Sequence, residues 1–343
     1  MKKMLSTTAR LITLALAACS VALPLAARAQ TAPDAAGIVV YNAQHTTLTQ
    51  AWADGFTKET GIKVTLRNGG DTELGNQLVQ EGAASPADVF LTENSPAMVL
   101  VDNARMFAPL DPATLAEVPA DFQPSHGRWI GIAARTTVFV YNKSKLSAAQ
   151  LPKSMLDLAA PAWKGRWAAS PSGADFQAIV SALLELKGEA VTAEWLKGMK
   201  ANVTPYKGNS TVMKAVNAGE IDGGVIYHYY YFGDQAKTGE NSRNIDMHYF
   251  RNQDPGAFVS ISGGGVLASS KRPAQAQAFV KWVAGKGGQE ILRTGNAYEY
   301  AVGKGEASNA KLVPLAELQA PKVEPSRLNS KKVSELMLQA GLL

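Results

Sequence analysis

The sequence predicts an α/β protein built as two halves around a cleft. Three observations carry this. Strand-like and helix-like runs alternate from residue 38 onward, the alternation restarts after Pro161, and two further strand-like runs, near residues 135–142 and 258–266, lie where they could join the halves. The 343 residues suffice for two domains. With 46% apolar and 18% charged residues the chain can bury large cores and is not a disordered tail.

The first 29 residues are an address rather than structure. Lys2, Lys3 and Arg10 make a positive start, an apolar run follows from Leu11 to Ala27, and Ala27-Arg28-Ala29 fits the small-x-small pattern before cleavage at Gln30. This is a bacterial-type secretory signal, with the periplasm as destination. Leu16-Ala17-Ala18-Cys19 also looks like a lipoprotein cleavage box, but the chain stays apolar from Val21 to Ala27, where a tethered lipoprotein has a polar linker. The soluble form is therefore expected. Lys2, Lys3, Arg10 and Arg28 leave with the signal, and no acid leaves with them. The remainder balances 30 basic against 29 acidic side chains. Such a balance argues against a nucleic-acid binder, which shows a basic stripe. No stretch after residue 30 offers 18 uninterrupted apolar residues, so the mature chain is expected to have no membrane span. One cysteine excludes a disulfide framework, a thiolate zinc site and an iron–sulfur cluster. Losing it with the signal suits an oxidising compartment.

Taken in order, Ile38–Tyr41 reads as a buried strand. Thr46–Thr60 reads as a helix with Leu48, Trp52 and Phe56 on one face, stopped by Gly61. Ile62–Leu66 alternates as a strand, Asp71–Glu81 is helical, and Asp88–Leu91 is the next strand. This order predicts a doubly wound parallel sheet, whose ligands sit beyond the carboxyl ends of the strands. Asn42–His45 and Thr92-Glu93-Asn94 are such ends and are expected to face one cleft. Trp129–Ile132 and Val138–Tyr141 read as two strands with Arg135 between them. Trp167–Ala169 is a strand, and Ser170–Gly173 a turn that opens a helix over Ala174–Lys187. Glu194–Ala201 and Ser210–Ala218 read as helices, and Gly223–Tyr227 as a strand running into an aromatic cluster. Val259–Ala268 reads as a strand interrupted by Gly263-Gly264-Gly265, a hinge or a place of close approach. No Gly-Lys-Ser/Thr follows, so it is not a phosphate loop. Ala274–Gly285, Gln289–Thr294 and Ser330–Ala340 complete the helices. Asp71, Glu73 and Asp88 are expected as caps or solvated charges, and His126 and His248 as exposed.

The chemistry concentrates at Tyr227-His228-Tyr229-Tyr230-Tyr231, which holds four of the ten tyrosines. Five consecutive polar-tipped rings cannot all hide their polar atoms in a core. Ionising a phenol at pH 7 costs roughly 4 kcal/mol, and ionising two roughly 8. Mg²⁺ and Ca²⁺ take carboxylates, carbonyls and water instead, and Zn²⁺ prefers His and Cys. A hard trivalent ion such as Fe³⁺ takes protons off phenols, and tyrosinate is an attested ferric ligand. The residue types point to Fe³⁺.

At these residues the sequence resembles the periplasmic ferric-ion-binding proteins of bacterial iron(III) ABC transporters. The likeness runs along the mature chain through Val39-Val40-Tyr41-Asn42-Ala43-Gln44-His45, Pro86-Ala87-Asp88-Val89-Phe90, Pro161-Ala162-Trp163-Lys164-Gly165 and Gln253-Asp254-Pro255-Gly256-Ala257. It implies a two-lobed periplasmic-binding-protein fold of type II-like form. Each lobe is then a central mixed sheet flanked by helices, and two hinge strands join them. The expected lobes are residues 37–135 with 264–310, and 136–263 with 311–343. The family's ligands fall on His45, Glu93, Tyr229 and Tyr230. Its small anion, phosphate or carbonate, falls to Asn94, Arg135, the turn Ser172-Gly173-Ala174, and Asn209. Where relatives carry Asn-Asn, this chain has Tyr227-His228, expected behind the ligands.

The resemblance implies capture of Fe³⁺ between the lobes and delivery to an inner-membrane ABC permease, by a monomer and with no enzymatic step. The residues alone leave two other classes open. One is a solute-binding protein for an organic cation or oxyanion, such as a polyamine, thiamine, phosphonate or sulfate. The other is a secreted metalloenzyme using Tyr, His and Glu.

Overall fold

A computed structural model describes residues 37–343. The signal segment, its cleavage site and Cys19 lie outside the described residues. The first half opens as the periodicity requires. Strand β1 (Ile38–Asn42) leads to helix α1 (Thr46–Thr60), which buries Leu48, Trp52 and Phe56. Gly61 ends α1 in the left-handed region at φ 74°, and its N–H closes on Thr57. Strand β2 (Val64–Asn68) starts two residues later than the alternation suggested, and α2 (Asp71–Glu81) follows. Glu73 caps α2, accepting from Gly70 N at 3.3 Å. Strand β3 (Val89–Leu91), α3 (Ser95–Asn103) and the short α4 (Pro112–Leu115) come next.

Strand β4 (Ile130–Asn142) corrects the expectation of two strands. The residues between the two expected strands, Ala133–Thr137, are all compatible with extended backbone, and the charge of Arg135 is paired inside, so nothing breaks the run. The second half holds β5 (Trp167–Ala169), α5 (Ala174–Asn202), β6 (Val203–Pro205), α6 (Asn209–Ala218), β7 (Gly223–Tyr227), α7 (Tyr229–Lys237) and β8 (Ile245–His248). Two expected helices merge in α5, bent where Gly188 takes φ 79° and ψ 172°. The aromatic cluster does not extend β7. It opens α7, so consecutive tyrosines point about 100° apart around a helix instead of to opposite faces of a sheet. The chain returns through β9 (Val259–Val266), then α8 (Pro273–Ala284), α9 (Lys286–Thr294) and α10 (Ser330–Gln339).

Among the described residues the strands run in the order β2-β1-β3-β9-β4-β7-β5-β6, with β8 also on β4. The sheet is mixed, not the parallel sheet first expected. β1 is parallel to β2 and β3, and β5 to β6 and β7, whereas β3–β9, β9–β4 and β4–β7 are antiparallel. β4 pairs with β9 over Ile130–Thr136 and with β7 over Thr137–Tyr141, so one strand serves both halves. The glycines of β9 do not interrupt it. A Cβ on Gly263 would lie 2.3 Å from Met98 Cγ, and one on Gly265 would lie 2.6 Å from Phe107 Cε1. They are points of close approach. Asp88 is buried, not solvated, and accepts from Val39 N at 2.8 Å and from the Ser270 hydroxyl at 2.6 Å. His126 is half-buried against Asp102 at 2.9 Å, and His248 is half-buried at the end of β8, so neither is the exposed histidine expected. Among the described residues no helix is long and apolar enough to cross a membrane.

Candidate metal centre

The strand ends deliver the first half's groups. His45 follows β1 as the residue capping α1, with φ −50° and ψ 120°. Glu93 follows β3, and its turn is fixed by Asp71, whose carboxylate accepts from Glu93 N and Asn94 N at 3.0 Å each. Asp71 is thus a buried brace and not a solvated charge. The His45 ring is held between two carboxylates, with Nε2 2.7 Å from Glu93 Oε1 and Nδ1 3.0 Å from Glu299 Oε1.

The second half's groups converge on Asp175, in the first turn of α5. Its Oδ2 accepts from the Tyr229 hydroxyl at 3.2 Å, the Tyr230 hydroxyl at 3.5 Å and Asn209 Nδ2 at 2.8 Å. Its Oδ1 accepts from Asn94 Nδ2 at 3.0 Å. The Tyr229 ring stands edge-on to His45, with centroids 4.8 Å apart, and closes the two sets into one cluster. Beside it a cavity of about 480 Å³, lined by His45, Tyr229, Tyr230 and Lys214, opens the cluster to the outside.

Tyr227, His228, Asn94, Arg135 and Asn209 lie around this cluster. Tyr227 lies behind, its hydroxyl donating to Asn94 Oδ1 at 3.3 Å. His228 is fully buried, accepts from Thr136 N at 3.2 Å and packs on Tyr300 at 4.9 Å. Gly173 is the cap of α5, with exposed Ser172 before it and Ala174 as the first helical residue. Asn94 and Asn209, expected at an anion, both donate to the Asp175 carboxylate. Arg135 is fully buried and bound to Glu299 and to Ser262 Oγ, with Nη1 3.9 Å from Glu93 Oε2.

Four acidic side chains (Asp71, Glu93, Asp175 and Glu299) surround the positive charge of Arg135 and His45. Burial and then the Glu93 charge push Asp71 up to about 8, and the same two causes raise Asp175. Burial pushes His45 down, but its pairing with Glu299 and Glu93 outweighs this and raises it to about 10. Glu299 is lowered to about 2, because Arg135 and His45 overcome the effect of burial. Burial and the Asp175 charge raise both Tyr229 and Tyr230 above the ordinary phenol. The phenols therefore stay protonated until a strong positive charge arrives. Among the described residues no three His, Cys, Asp or Glu side chains form a metal-holding group.

The profile of the bacterial extracellular solute-binding proteins matches residues 42–290. The chain is 76% identical to the Fe(3+)-binding periplasmic protein of Serratia marcescens, over 93% of this chain and 94% of that one. It is 38% identical to the major ferric iron-binding protein of Neisseria meningitidis serogroup B, over 94% and 98%. The chain belongs to the periplasmic ferric-ion-binding proteins. Its fold matches iron-bound HitA from Pseudomonas aeruginosa with a TM-score of 0.84 and 42% identity, covering 89% of this chain and 99% of that one. This periplasmic ferric-ion-binding protein thus has the two-lobed fold, and the relatives it matches are binding proteins.

Two residues of the site escaped the sequence reading. Asp175 directly follows Ser172-Gly173-Ala174, and an acid in the first turn of a helix at a strand end was an available signal. Glu299 lies in Tyr298-Glu299-Tyr300, in no regular element, and no local pattern marks it.

Proposed function

We propose that this protein captures ferric ion in the cleft between lobes 37–135 with 264–310 and 136–263 with 311–343, and hands it to an inner-membrane ABC permease. It works in the periplasm as a monomer, brought there by the signal in residues 1–29, and performs no chemical step. His45 and Glu93 come from the first lobe, and Tyr229 and Tyr230 from the second. Metal binding therefore favours the closed state over the open one, the differential affinity a switch needs. The lobe boundary is supported by the exchange of β4 partners, from β9 to β7, at Thr136–Thr137.

The observation that carries the reading is the convergence of both phenolic hydroxyls on one carboxylate oxygen, beside a histidine and a second acid. Fe³⁺ has the charge to displace those phenolic protons. Arg135, the buried cation of the site, is already bound to Glu299, which disfavours an oxyanion cargo. Asn94 and Asn209, the residues expected to hold the phosphate or carbonate, both donate to the Asp175 carboxylate, so we assign it the anion's part.

The test is the absorption spectrum of protein purified without chelators and titrated with ferric citrate. A phenolate-to-iron charge-transfer band, red to purple, is expected at one iron per chain without added phosphate or bicarbonate. A colourless protein that ignores ferric citrate defeats the proposal. A band that appears only with an added anion returns that role to the anion.

A further inference from the structure

Glu299 is a fully buried carboxylate in direct contact with a proposed iron ligand. Its two oxygens do different work. Oε1 lies 3.0 Å from His45 Nδ1. Oε2 takes Arg135 Nη2 and Gln44 Nε2, the latter at 3.2 Å, with the Ser262 hydroxyl at 3.4 Å. Gln44 adds a second restraint, because its Oε1 accepts from His45 N at 2.7 Å. The carboxylate is thus clamped from one side and offers its free side to the ring.

The backbone around Glu299 is equally constrained. Tyr298 holds φ 53°, a left-handed conformation that an aromatic residue adopts only when its surroundings enforce it. Tyr300 exchanges both backbone hydrogen bonds with Ala134, at 2.8 and 3.0 Å, and its hydroxyl donates to Val313 O at 2.8 Å. Glu299 is therefore pinned to β4 beside Arg135, while the strained residue before it turns the side chain into the cluster.

We infer that Glu299 is a positioning residue acting through His45: its Oε1 accepts from Nδ1–H, keeping the proton on Nδ1 and leaving Nε2 as the ring nitrogen presented to the metal. This rests on the reading of His45 as an iron ligand. Nε2 points toward Glu93, the proposed neighbouring ligand, so the orientation Glu299 enforces is the productive one. A carboxylate behind a ligating histidine fixes ring orientation and strengthens the ligand, and its loss costs about 10- to 100-fold in metal affinity. A purely structural role, balancing the charge of Arg135, predicts no dependence on His45.

A double-mutant cycle separates the two. Ferric affinity is measured by competition with citrate for the full chain, Glu299→Gln, His45→Ala and the double variant. Glu299→Gln is expected to weaken binding about 10- to 100-fold alone and to add nothing on top of His45→Ala. An equal loss in both backgrounds, or no loss in either, overturns the inference. If His45→Ala alone leaves affinity unchanged, His45 is not a ligand; that outcome is distinct and removes the premise as well. Should Glu299→Gln fail to fold, nitrogen NMR of isotope-labelled histidine in the Ga³⁺-loaded full chain decides. Protonated Nδ1 with metal-bound Nε2 is expected, and the opposite tautomer overturns the inference.

Discussion

The ring of Tyr229 stacks on that of Tyr230 at a centroid distance of 4.4 Å, and both hydroxyls address the same oxygen of Asp175. Two phenols on consecutive residues reach one point because they sit on the first turn of a helix. Removing either hydroxyl leaves the ring packing intact and deletes one ligand. Tyr229→Phe and Tyr230→Phe are each expected to lower ferric affinity by more than about 100-fold, about 3 kcal/mol. The pair together should bleach the charge-transfer band. Absorption titration reads both effects, and retention of the full band in the double variant would refute the ligand set.

Asp175 supplies the second prediction. With its carboxylate in place, iron binding should ignore phosphate and bicarbonate. In Asp175→Asn the negative charge is gone while Asn94, Asn209 and the helix end remain. Binding should then weaken and recover on adding either anion. Equal anion sensitivity in the two proteins would count against the assignment.

The protons displaced by iron set its pH dependence. In the metal-free site His45 is raised to about 10 and both phenols lie above their ordinary value, so all three carry protons at neutral pH. Each must leave as iron binds. Apparent ferric affinity, corrected for the competing chelator, should rise with a slope of about three decades per pH unit near neutrality, and acid should release the metal. A slope of one or less would mean that at most one of the three groups binds.

His228 makes the iron-free fold acid-sensitive in its own right. Burial lowers its imidazole to about 4, and protonating Nδ1 would break the bond from Thr136 N. In the unfolded chain histidine titrates near 6.5, above the folded value. This contribution to stability is therefore complete above about pH 6.5 and falls as pH drops from there toward 4, by on the order of 3 kcal/mol. His228→Gln should flatten that part of the decline, as read from urea midpoints across the window. An identical decline in both proteins would exclude the mechanism.

Gly263 tests the packing of β9. Alanine there would place a carbon 2.3 Å from Met98 Cγ, and the strand is hydrogen-bonded on both sides, so relief must come from the side chain or the sheet. Gly263→Ala should destabilise by ~1–3 kcal/mol. Gly233→Ala, at a helix position with nothing within 4 Å of the new carbon, should not destabilise. Calorimetric melting of the two variants gives the comparison.

The sequence disclosed what depends on local order. Helices α1 and α2 fall on their expected residues because Leu48, Trp52 and Phe56 set the period and Gly61 provides the stop. The clustered tyrosines, His45 and Glu93 were visible as chemistry, and the fold brings His45, Glu93, Tyr229 and Tyr230 together. What stayed hidden depends on distant partners. Arg135 looked like a break between strands, and only its pairing with Glu299, 164 residues away, lets β4 run through. The direction of β9 against β3 and β4 is a tertiary choice that no strand pattern encodes. Asp71 and Asp88 read as surface acids because their donors, backbone N–H groups of Glu93, Asn94 and Val39 among them, become neighbours only in the fold.

On the proposed two-lobed reading, the unbroken course of β4 through both halves of the sheet makes the joint a flexure instead of a bearing. The jaws should then part only as far as this ribbon and its antiparallel neighbours bend and twist. The gaping form should accordingly be a narrow set of related geometries, with each recoil of the ribbon returning the same side chains to register.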